Sequence, residues 1–304
     1  MKARRTIRIC LAIAAFALVA SACGKDDDGN DDASSSGSGG SSAAAPSYET
    51  KAVSGLTGTP KSLADAKKVT IGVKGDQPNL GFKDPKNNQF SGFDIEIAKM
   101  IAADLGIDTS GITFKEIPSK NRETALANGE VDYYVGTYTI NDERKQQVSF
   151  AGPYFVAGQD LLVKKDSDIK GPDDLSGKTV CSATGSTPIQ NIKDNYPDAK
   201  TTEFDVYSKC VQALLDGQVD AVTTDDAILV GYAAQYPDDL KVVGETFSDE
   251  PYGVGVKHGD TALSEFIAAA LKRHNENGDY TKAYDATLGK SGETAPEMPE
   301  VTTG

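Results

Sequence analysis

The sequence predicts an α/β fold made of two similar lobes, and three observations predict it. The phrase Ala-Leu-x-x-Gly-x-Val-Asp occurs at residues 125–132 and recurs at residues 213–220. Each copy is preceded by a β-rich run, at residues 69–73 in the first half and at residues 178–181 in the second. The part of the chain with a globular composition is roughly 230 residues long, which suits two lobes of ordinary domain size.

The first half contains a strand, a loop and a helix in that order. Residues 69–73 (Val-Thr-Ile-Gly-Val) are typical of a buried strand. The next helix is predicted to begin with Asp94 as its N-cap and to end at Gly106. Its buried face is formed by Ile97, Ile101 and Leu105. The first copy of the phrase then predicts a helix that ends at Gly129 and a strand at residues 133–135.

The second half repeats this order. Residues 178–181 form the opening strand, Thr187 is the expected N-cap of a helix, and Pro188 fits the first helical position. The second copy of the phrase predicts a helix that ends at Gly217 and a strand at residues 221–223. Because strands alternate with helices in both halves, we expect parallel strands joined by crossover helices in each lobe.

A cleft between the lobes is the expected binding site. In open α/β sheets, ligands bind beyond the carboxyl ends of the strands. The residues that follow the predicted strands are Lys74, Gly136, Thr137, Tyr138, Thr139, Gly185, Ser186, Thr187, Thr224 and Asp225. We therefore expect these residues to line one cleft, with the two lobes facing each other across it.

The residue types of this cleft suit a zwitterion. Arg144, five residues after Thr139, can hold a carboxylate through two parallel hydrogen bonds. The amides of Ser186 and Thr187 would lie at a helix N-terminus, which favours an anion. Asp225 supplies a negative charge for an ammonium group. Together these groups indicate an α-amino acid.

Two further cations indicate an acidic side chain on that ligand. Lys74 and Arg122 lie at strand and helix ends of the first lobe, where they would suit a second carboxylate. Each residue also has a purely structural alternative. Arg144 could pair with a neighbouring acid on a solvated turn, Thr187 and Asp225 could be helix caps, and Lys74 could be a surface lysine.

The N-terminal region predicts export and lipid anchoring. Residues 1–22 combine a basic start, a short apolar run and small residues, which is typical of a cleaved signal peptide. Cys23 follows these small residues and looks like the lipidated cysteine of a bacterial lipobox, although Ala20 stands where that pattern usually has Leu. An ordinary signal cleaved after Ala22 is the alternative. Residues 23–60 are predicted to be a flexible linker, and residues 291–304 a flexible tail.

Charge and cysteine usage agree with this location. Removing the four basic residues of the signal takes the net charge from −14 to about −18, which disfavours nucleic acid and anionic lipid as partners. Cys181 and Cys210 are an expected disulfide because exported cysteine pairs are usually oxidised, with two buried free thiols as the alternative. No Cys/His set has metal-ligand spacing, and we expect neither a metal nor a cofactor.

The chain resembles the family-3 extracellular solute-binding proteins of polar amino-acid ABC transporters, and especially the glutamate-binding lipoproteins of actinobacteria. The similarity covers about residues 69–288. It is carried by phrases at residues 92–95, 138–144, 150–155, 185–187, 219–226 and 250–253.

The resemblance implies the two-lobed periplasmic-binding-protein fold of type II, with two hinge strands and the ligand in the inter-lobe cleft. We expect crossovers near residues 155–158 and 245–250. Lobe 1 then comprises residues 61–156 plus 248–290, and lobe 2 comprises residues 157–247.

The resemblance also implies roles for individual residues. Arg144, helped by Thr139 and Thr187, would hold the ligand α-carboxylate, and Asp225 its ammonium group. Lys74, Arg122 and Tyr207 would contact the side chain. The expected function is to capture glutamate and deliver it to a separate ABC permease and ATPase. The alternatives are aspartate, glutamine or asparagine as the ligand, or an enzyme on the same fold that resembles cyclohexadienyl dehydratases.

Overall fold

A computed structural model describes residues 46–304 of the chain. The strands are β1 (Val69–Val73), β2 (Asp76–Gln77), β3 (Gly81–Lys83), β4 (Phe90–Ser91), β5 (Ile112–Glu116), β6 (Tyr133–Tyr134), β7 (Val148–Lys164), β8 (Thr179–Ala183), β9 (Lys200–Phe204), β10 (Ala221–Asp225), β11 (Leu240–Val242), β12 (Asp249–Lys257) and β13 (Thr302–Thr303). The α-helices are α1 (Gly58–Ala66), α2 (Phe93–Asp104), α3 (Arg122–Ala127), α4 (Asp142–Lys145), α5 (Thr187–Asn195), α6 (Tyr207–Leu215), α7 (Asp226–Gln235), α8 (Thr261–Glu276) and α9 (Asp279–Asp285).

The structure leaves most of the predicted N-terminal segments undescribed. The predicted signal peptide, Cys23 and most of the predicted linker lie outside the described residues. Within residues 46–304, none of the helices combines the length and the apolar character that a membrane crossing requires.

The main sheet consists of two groups of strands that share β7. Its order is β5-β1-β6-β12-β7-β10-β8-β9, with β11 and β13 also paired to β7. Strand β1 is parallel to β5 and β6, and β8 is parallel to β9 and β10. The residues of β7 up to Gly158 pair with β12, whereas those from Gln159 onward pair with β10. The predicted two-lobed α/β architecture is therefore confirmed.

The repeated phrase has the same structure in both copies. Its aspartates, Asp132 and Asp220, each accept the backbone N–H of a neighbouring strand through Oδ2, from Thr70 and Thr179 respectively, at 2.7 Å in both cases. The glycine after each helix has a positive φ, 67° in the first copy and 71° in the second. In each copy the glycine therefore ends a helix, and the aspartate fixes the register of the strand that follows. Each lobe needs this connection once, which explains why the phrase occurs once in each lobe.

Two predicted helix caps are wrong by one or two positions. Helix α2 begins at Phe93 after Gly92, and the Asp94 carboxylate instead accepts the Thr137 N–H and the Tyr154 hydroxyl. In α5 the N-cap is Ser186, whose hydroxyl accepts the N–H of Ile189, so Thr187 is the first helical residue. Serine is preferred to threonine as an N-cap by only a small margin, so the sequence hardly separates these two adjacent candidates.

Both ends of the described chain differ from the predicted flexible segments. The backbone N–H groups of Lys51 and Val53 donate to the carbonyls at the end of α2, and α1 begins at Gly58 within the predicted linker. At the other end, Thr302 and Thr303 pair with β7, and Val301 is buried. An available strand edge orders this tail, and composition alone does not reveal such an edge.

The predicted disulfide is present. Cys181 on β8 and Cys210 on α6 are bonded, and both side chains are fully buried. The bond closes a loop with a sequence separation of 29 residues.

Removing this disulfide is expected to destabilise the fold. For a loop of about 30 residues, the chain-entropy relation gives a loss of about 3.6 kcal/mol in the free energy of unfolding. We expect a Cys181→Ala/Cys210→Ala variant to show this loss in guanidinium unfolding. Reduction of the wild type with dithiothreitol should cause a similar loss and should leave the variant unchanged. A variant within about 1 kcal/mol of the oxidised wild type would contradict the prediction.

Candidate ligand-binding site

A small, buried cavity lies between the two strand groups. It is lined by Ser119, Arg122, Thr137, Thr139, Arg144, Ser186, Thr187, Pro188, Tyr207 and Asp225. Most of the residues predicted to line the cleft or to bind the ligand are in this lining, and the exceptions are Lys74, Gly136, Tyr138, Gly185 and Thr224. The inner cavity has a volume of about 10 Å³, which is near the size of one water molecule. An amino acid can therefore enter only if the surrounding groups move.

A larger chamber adjoins the inner cavity and is open to solvent. Its volume is about 530 Å³, and it shares Arg144, Ser186 and Thr187 with the inner cavity. Glu250 also lines the chamber. These shared residues therefore separate the inner cavity from the solvent side.

Arg144 spans the cleft from helix α4. Its Nη1 donates to the Thr139 carbonyl at 2.7 Å, and its Nη2 donates to the Gly185 carbonyl at 3.2 Å. Gly185 has a positive φ of 79°, and a side chain there would collide with the Lys120 backbone. Burial and the nearby Arg122 lower the pKa of Arg144 to about 10, so the guanidinium remains positive at neutral pH.

Arg122 lies beside Arg144, and Tyr138 supports both guanidinium groups. The ring centroid of Tyr138 is 4.1 Å from the Arg122 guanidinium carbon and 5.2 Å from that of Arg144. An aromatic face stabilises a cation at such distances. The Tyr138 hydroxyl donates to Glu123 at 2.7 Å, and its side chain is fully buried. Tyr138 therefore lies behind the cations, and the structure does not place it in the cavity lining.

Lys74 reaches the same region from the end of β1. Its ammonium donates to the Ser119 hydroxyl at 2.5 Å and lies 6.0 Å from the ring centroid of Tyr207. Burial and the nearby Arg122 lower the pKa of Lys74 to about 7. Among residues 46–304, no carboxylate oxygen lies within 4.0 Å of the charged nitrogens of Lys74 or Arg122.

Asp225 is the acid of the site, at the end of β10. Its Oδ2 accepts the Tyr252 hydroxyl at 2.5 Å, and its Oδ1 has no hydrogen-bond partner in the part of the chain that the structure describes. Burial, followed by the nearby Glu250, raises the pKa of Asp225 well above its ordinary value. A positive group beside Oδ1 would favour the ionised form.

Sequence reasoning missed Glu250 and Tyr252. Both belong to β12, which returns to the first strand group and was not among the predicted cleft strands. They lie in the phrase at residues 250–253, which carries part of the resemblance, but the pattern alone gave them no role. Asp94 was also missed as a supporting residue: it holds the backbone of Thr137, whose φ of 46° is unusual for a residue with a side chain.

The fold and this cleft define a class of protein that encloses a small polar solute between two lobes. The family model for bacterial extracellular solute-binding proteins, family 3, matches residues 69–290. The chain therefore belongs to that family.

Individual relatives agree with this assignment. The chain is 43% identical to glutamate-binding protein GluB of Corynebacterium efficiens over 240 residues, which cover 75% of this chain and 81% of the relative. It is 44% identical to the ABC transporter glutamine-binding protein GlnH of Bacillus subtilis, with 73% of this chain and 82% of that protein covered. A solved ancestral arginine-binding protein bound to glutamine matches with a TM-score of 0.69 and 41% identity, covering 73% and 98% of the two chains.

Proposed function

We propose that this protein captures a free α-amino acid, with glutamate as the favoured ligand, outside the cytoplasmic membrane and delivers it to an ABC importer. Family membership supports capture of a solute, and relatives named for glutamate and glutamine support an amino acid. In this proposal, the permease and the ATPase are separate chains.

Binding of the amino-acid backbone is supported by Asp225 and Arg144. The unpartnered Oδ1 of Asp225 is a buried acceptor for the ligand ammonium group. Arg144 and the N-terminus of α5 offer positive charge and N–H donors to the α-carboxylate. In this arrangement the two charged groups of the ligand meet the side chains that complement them.

A ligand with an acidic side chain is supported mainly by one observation, which is that the two cations Lys74 and Arg122 lie near each other in the site. Both side chains are at least nine-tenths buried, and neither has a described carboxylate within 4.0 Å. Buried charges without a counter-ion are costly. A ligand carboxylate would compensate them, so the site favours glutamate over amino acids without a second acid. We propose that Tyr207, whose ring lies next to Lys74, packs against the same side chain.

Glutamine is the second candidate because one of the relatives described above is named for it. The lowered pKa of Lys74 is compatible with this ligand, because a neutral lysine amine can accept a hydrogen bond from a side-chain amide. Aspartate and asparagine, whose side chains are shorter by one methylene group, are the remaining alternatives.

The pKa of Lys74 predicts how pH separates these two ligands. A ligand carboxylate stabilises the charged lysine, so glutamate should be favoured over glutamine most strongly below pH 7, where Lys74 is mostly protonated. Above pH 7, binding must also take up a proton. We expect the ratio of glutamate affinity to glutamine affinity, measured by calorimetry, to fall by at least about threefold between pH 6.5 and 8.5. The raised pKa of Asp225 affects both ligands alike and does not change this ratio.

A Lys74→Met variant is the matched control for this pH effect. It keeps a side chain of similar length without a titrating group, and its ratio of glutamate affinity to glutamine affinity should be lower and nearly independent of pH. A wild-type protein whose glutamate and glutamine affinities change in parallel with pH would remove Lys74 from the side-chain contact.

We also propose that the mature chain begins at a lipidated Cys23 on the outer face of the cytoplasmic membrane. The basic start and short apolar run of residues 1–22 support export, and the small residues before Cys23 support lipidation. A lipid tether would keep the protein close to its permease.

We propose binding without chemical conversion of the ligand. In this proposal Asp225, Arg144, Lys74 and Arg122 bind the charges of an amino acid, and the named relatives are binding proteins. Incubation of the purified protein with prephenate or arogenate tests this directly. Formation of a dehydrated product would favour the enzyme alternative.

A further inference from the structure

Glu250 connects the two sides of the cleft through one carboxylate oxygen. Its Oε2 accepts the hydroxyl of Thr139 at 2.6 Å and the hydroxyl of Thr187 at 2.6 Å. Thr139 follows β6 in the first strand group, whereas Thr187 is the first residue of α5 in the second. The two hydroxyl oxygens are only 3.3 Å apart. The contact is therefore a bridge between the strand groups.

The bridging carboxylate is held firmly in place. Its other oxygen, Oε1, accepts the Ser248 hydroxyl at 2.9 Å, and the side chain is only 3% exposed. The backbone of Glu250 pairs with Ala157, close to the point where β7 passes from one strand group to the other. Relative movement of the groups around this point would separate Thr139 from Thr187 and break the bridge.

The bridge lies at the boundary between the outer chamber and the inner cavity. Thr139 and Thr187 line the inner cavity, while Thr187 and Glu250 line the outer chamber. A ligand that leaves the inner cavity toward the solvent through this chamber passes between these side chains.

We propose that Glu250 is a latch that holds the cleft closed over its ligand and thereby sets how long the ligand stays bound. The identity of that ligand rests on the proposed function, but the latch itself rests on the three side chains of the bridge. Hydrogen bonds to a carboxylate are roughly twice as strong as those between neutral groups, so two of them to one oxygen favour the closed arrangement. Their loss should accelerate ligand release rather than slow association.

The first test measures release of radiolabelled glutamate from the full-length protein after dilution into unlabelled glutamate. Glu250→Ala is expected to raise the release rate by at least about tenfold, and Glu250→Gln, which keeps an acceptor without the charge, by less. The association rate should remain within about threefold of the wild type. Ser248→Ala is the matched control, because it removes a contact to the same carboxylate that does not cross the cleft.

A double-variant cycle tests whether the bridge acts as one unit. Thr187→Val keeps the shape of the side chain and removes its hydroxyl. If the latch exists, Thr187→Val should add little to the opening seen by small-angle X-ray scattering without amino acid once Glu250→Gln is present, a readout that a direct contact of Thr187 with the ligand does not affect. Independent, additive effects of the two substitutions on the radius of gyration would overturn the proposal. So would a release rate for Glu250→Ala equal to that of the wild type.

Small-angle X-ray scattering without amino acid separates this proposal from the proposed function. Glu250→Ala should shift the population toward an open form and increase the radius of gyration, whether or not glutamate is the true ligand. If the wild type binds none of the amino acids but the variant is more open, the proposed function fails and the latch stands. An unchanged radius of gyration together with unchanged ligand release would refute the latch.

Discussion

Asp225→Ala is expected to weaken glutamate binding by at least about tenfold, because it removes the partner of the ligand ammonium group from a buried site. Asp225 is only 3% exposed, and its Oδ1 has no other hydrogen-bond partner within residues 46–304. Truncating one member of a buried charge pair costs about 2–5 kcal/mol, since the remaining charge is left without compensation. The loss should therefore be a loss of affinity with little change in fold.

Isothermal titration calorimetry of purified protein measures this effect directly. Asp225→Asn should also bind weakly, because the amide keeps the shape of the side chain but not its charge. Asp238→Ala, which removes an exposed acid from the same lobe, controls for the change in net charge and should bind as the wild type does. Wild-type affinity in Asp225→Ala would exclude Asp225 from the site.

Arg144→Lys is expected to lower glutamate affinity by at least about tenfold even though the positive charge is kept. The planar guanidinium now spans the cleft, from the Thr139 carbonyl to the Gly185 carbonyl. A lysine ammonium presents a point charge and does not reproduce this fork, nor a two-bond contact with a carboxylate. The variant would therefore lose both the α-carboxylate contact and part of the cross-cleft bonding.

The neighbouring Lys145 provides a matched control for the Arg144 experiment. Lys145 is exposed and lies on the same helix, so Lys145→Ala changes the local charge without altering the cavity. Calorimetry should show an affinity for this control within about twofold of the wild type, as is usual for surface substitutions. Equal affinities for Arg144→Lys and the wild type would refute the proposed carboxylate contact.

The parts of the fold that depend on local signals could be predicted from the sequence. The repeated phrase marks a helix end and a strand start, and both copies adopt this structure, with Asp132 and Asp220 making equivalent bonds. What could not be predicted depends on distant partners. The Asp94 carboxylate bonds to Thr137, which is 43 residues away, and a first-turn acid looks the same in sequence whether it caps a helix or supports a loop.

In the candidate site, too, some residues could be predicted from local sequence signals and others depend on distant partners. The rule that ligands bind beyond the carboxyl ends of strands selected Asp225, and the chemistry of the residue types selected Arg122 and Arg144; all three line one cavity. The rule did not select Glu250, because this residue lies at the start of β12 and not beyond the carboxyl end of a strand. Its bond to Thr139 joins residues 111 positions apart, and this separation carries no local signal.

The central claim is that the cleft binds an acidic amino acid, and a thermal-shift screen of the full-length protein against the twenty amino acids tests it most directly. A ligand at 100 times its Kd stabilises the folded state by about 2.7 kcal/mol, which gives a clear rise in melting temperature. We predict the largest rise with glutamate and a smaller one with glutamine. A rise with basic or apolar amino acids and none with glutamate would contradict the roles of Lys74 and Arg122.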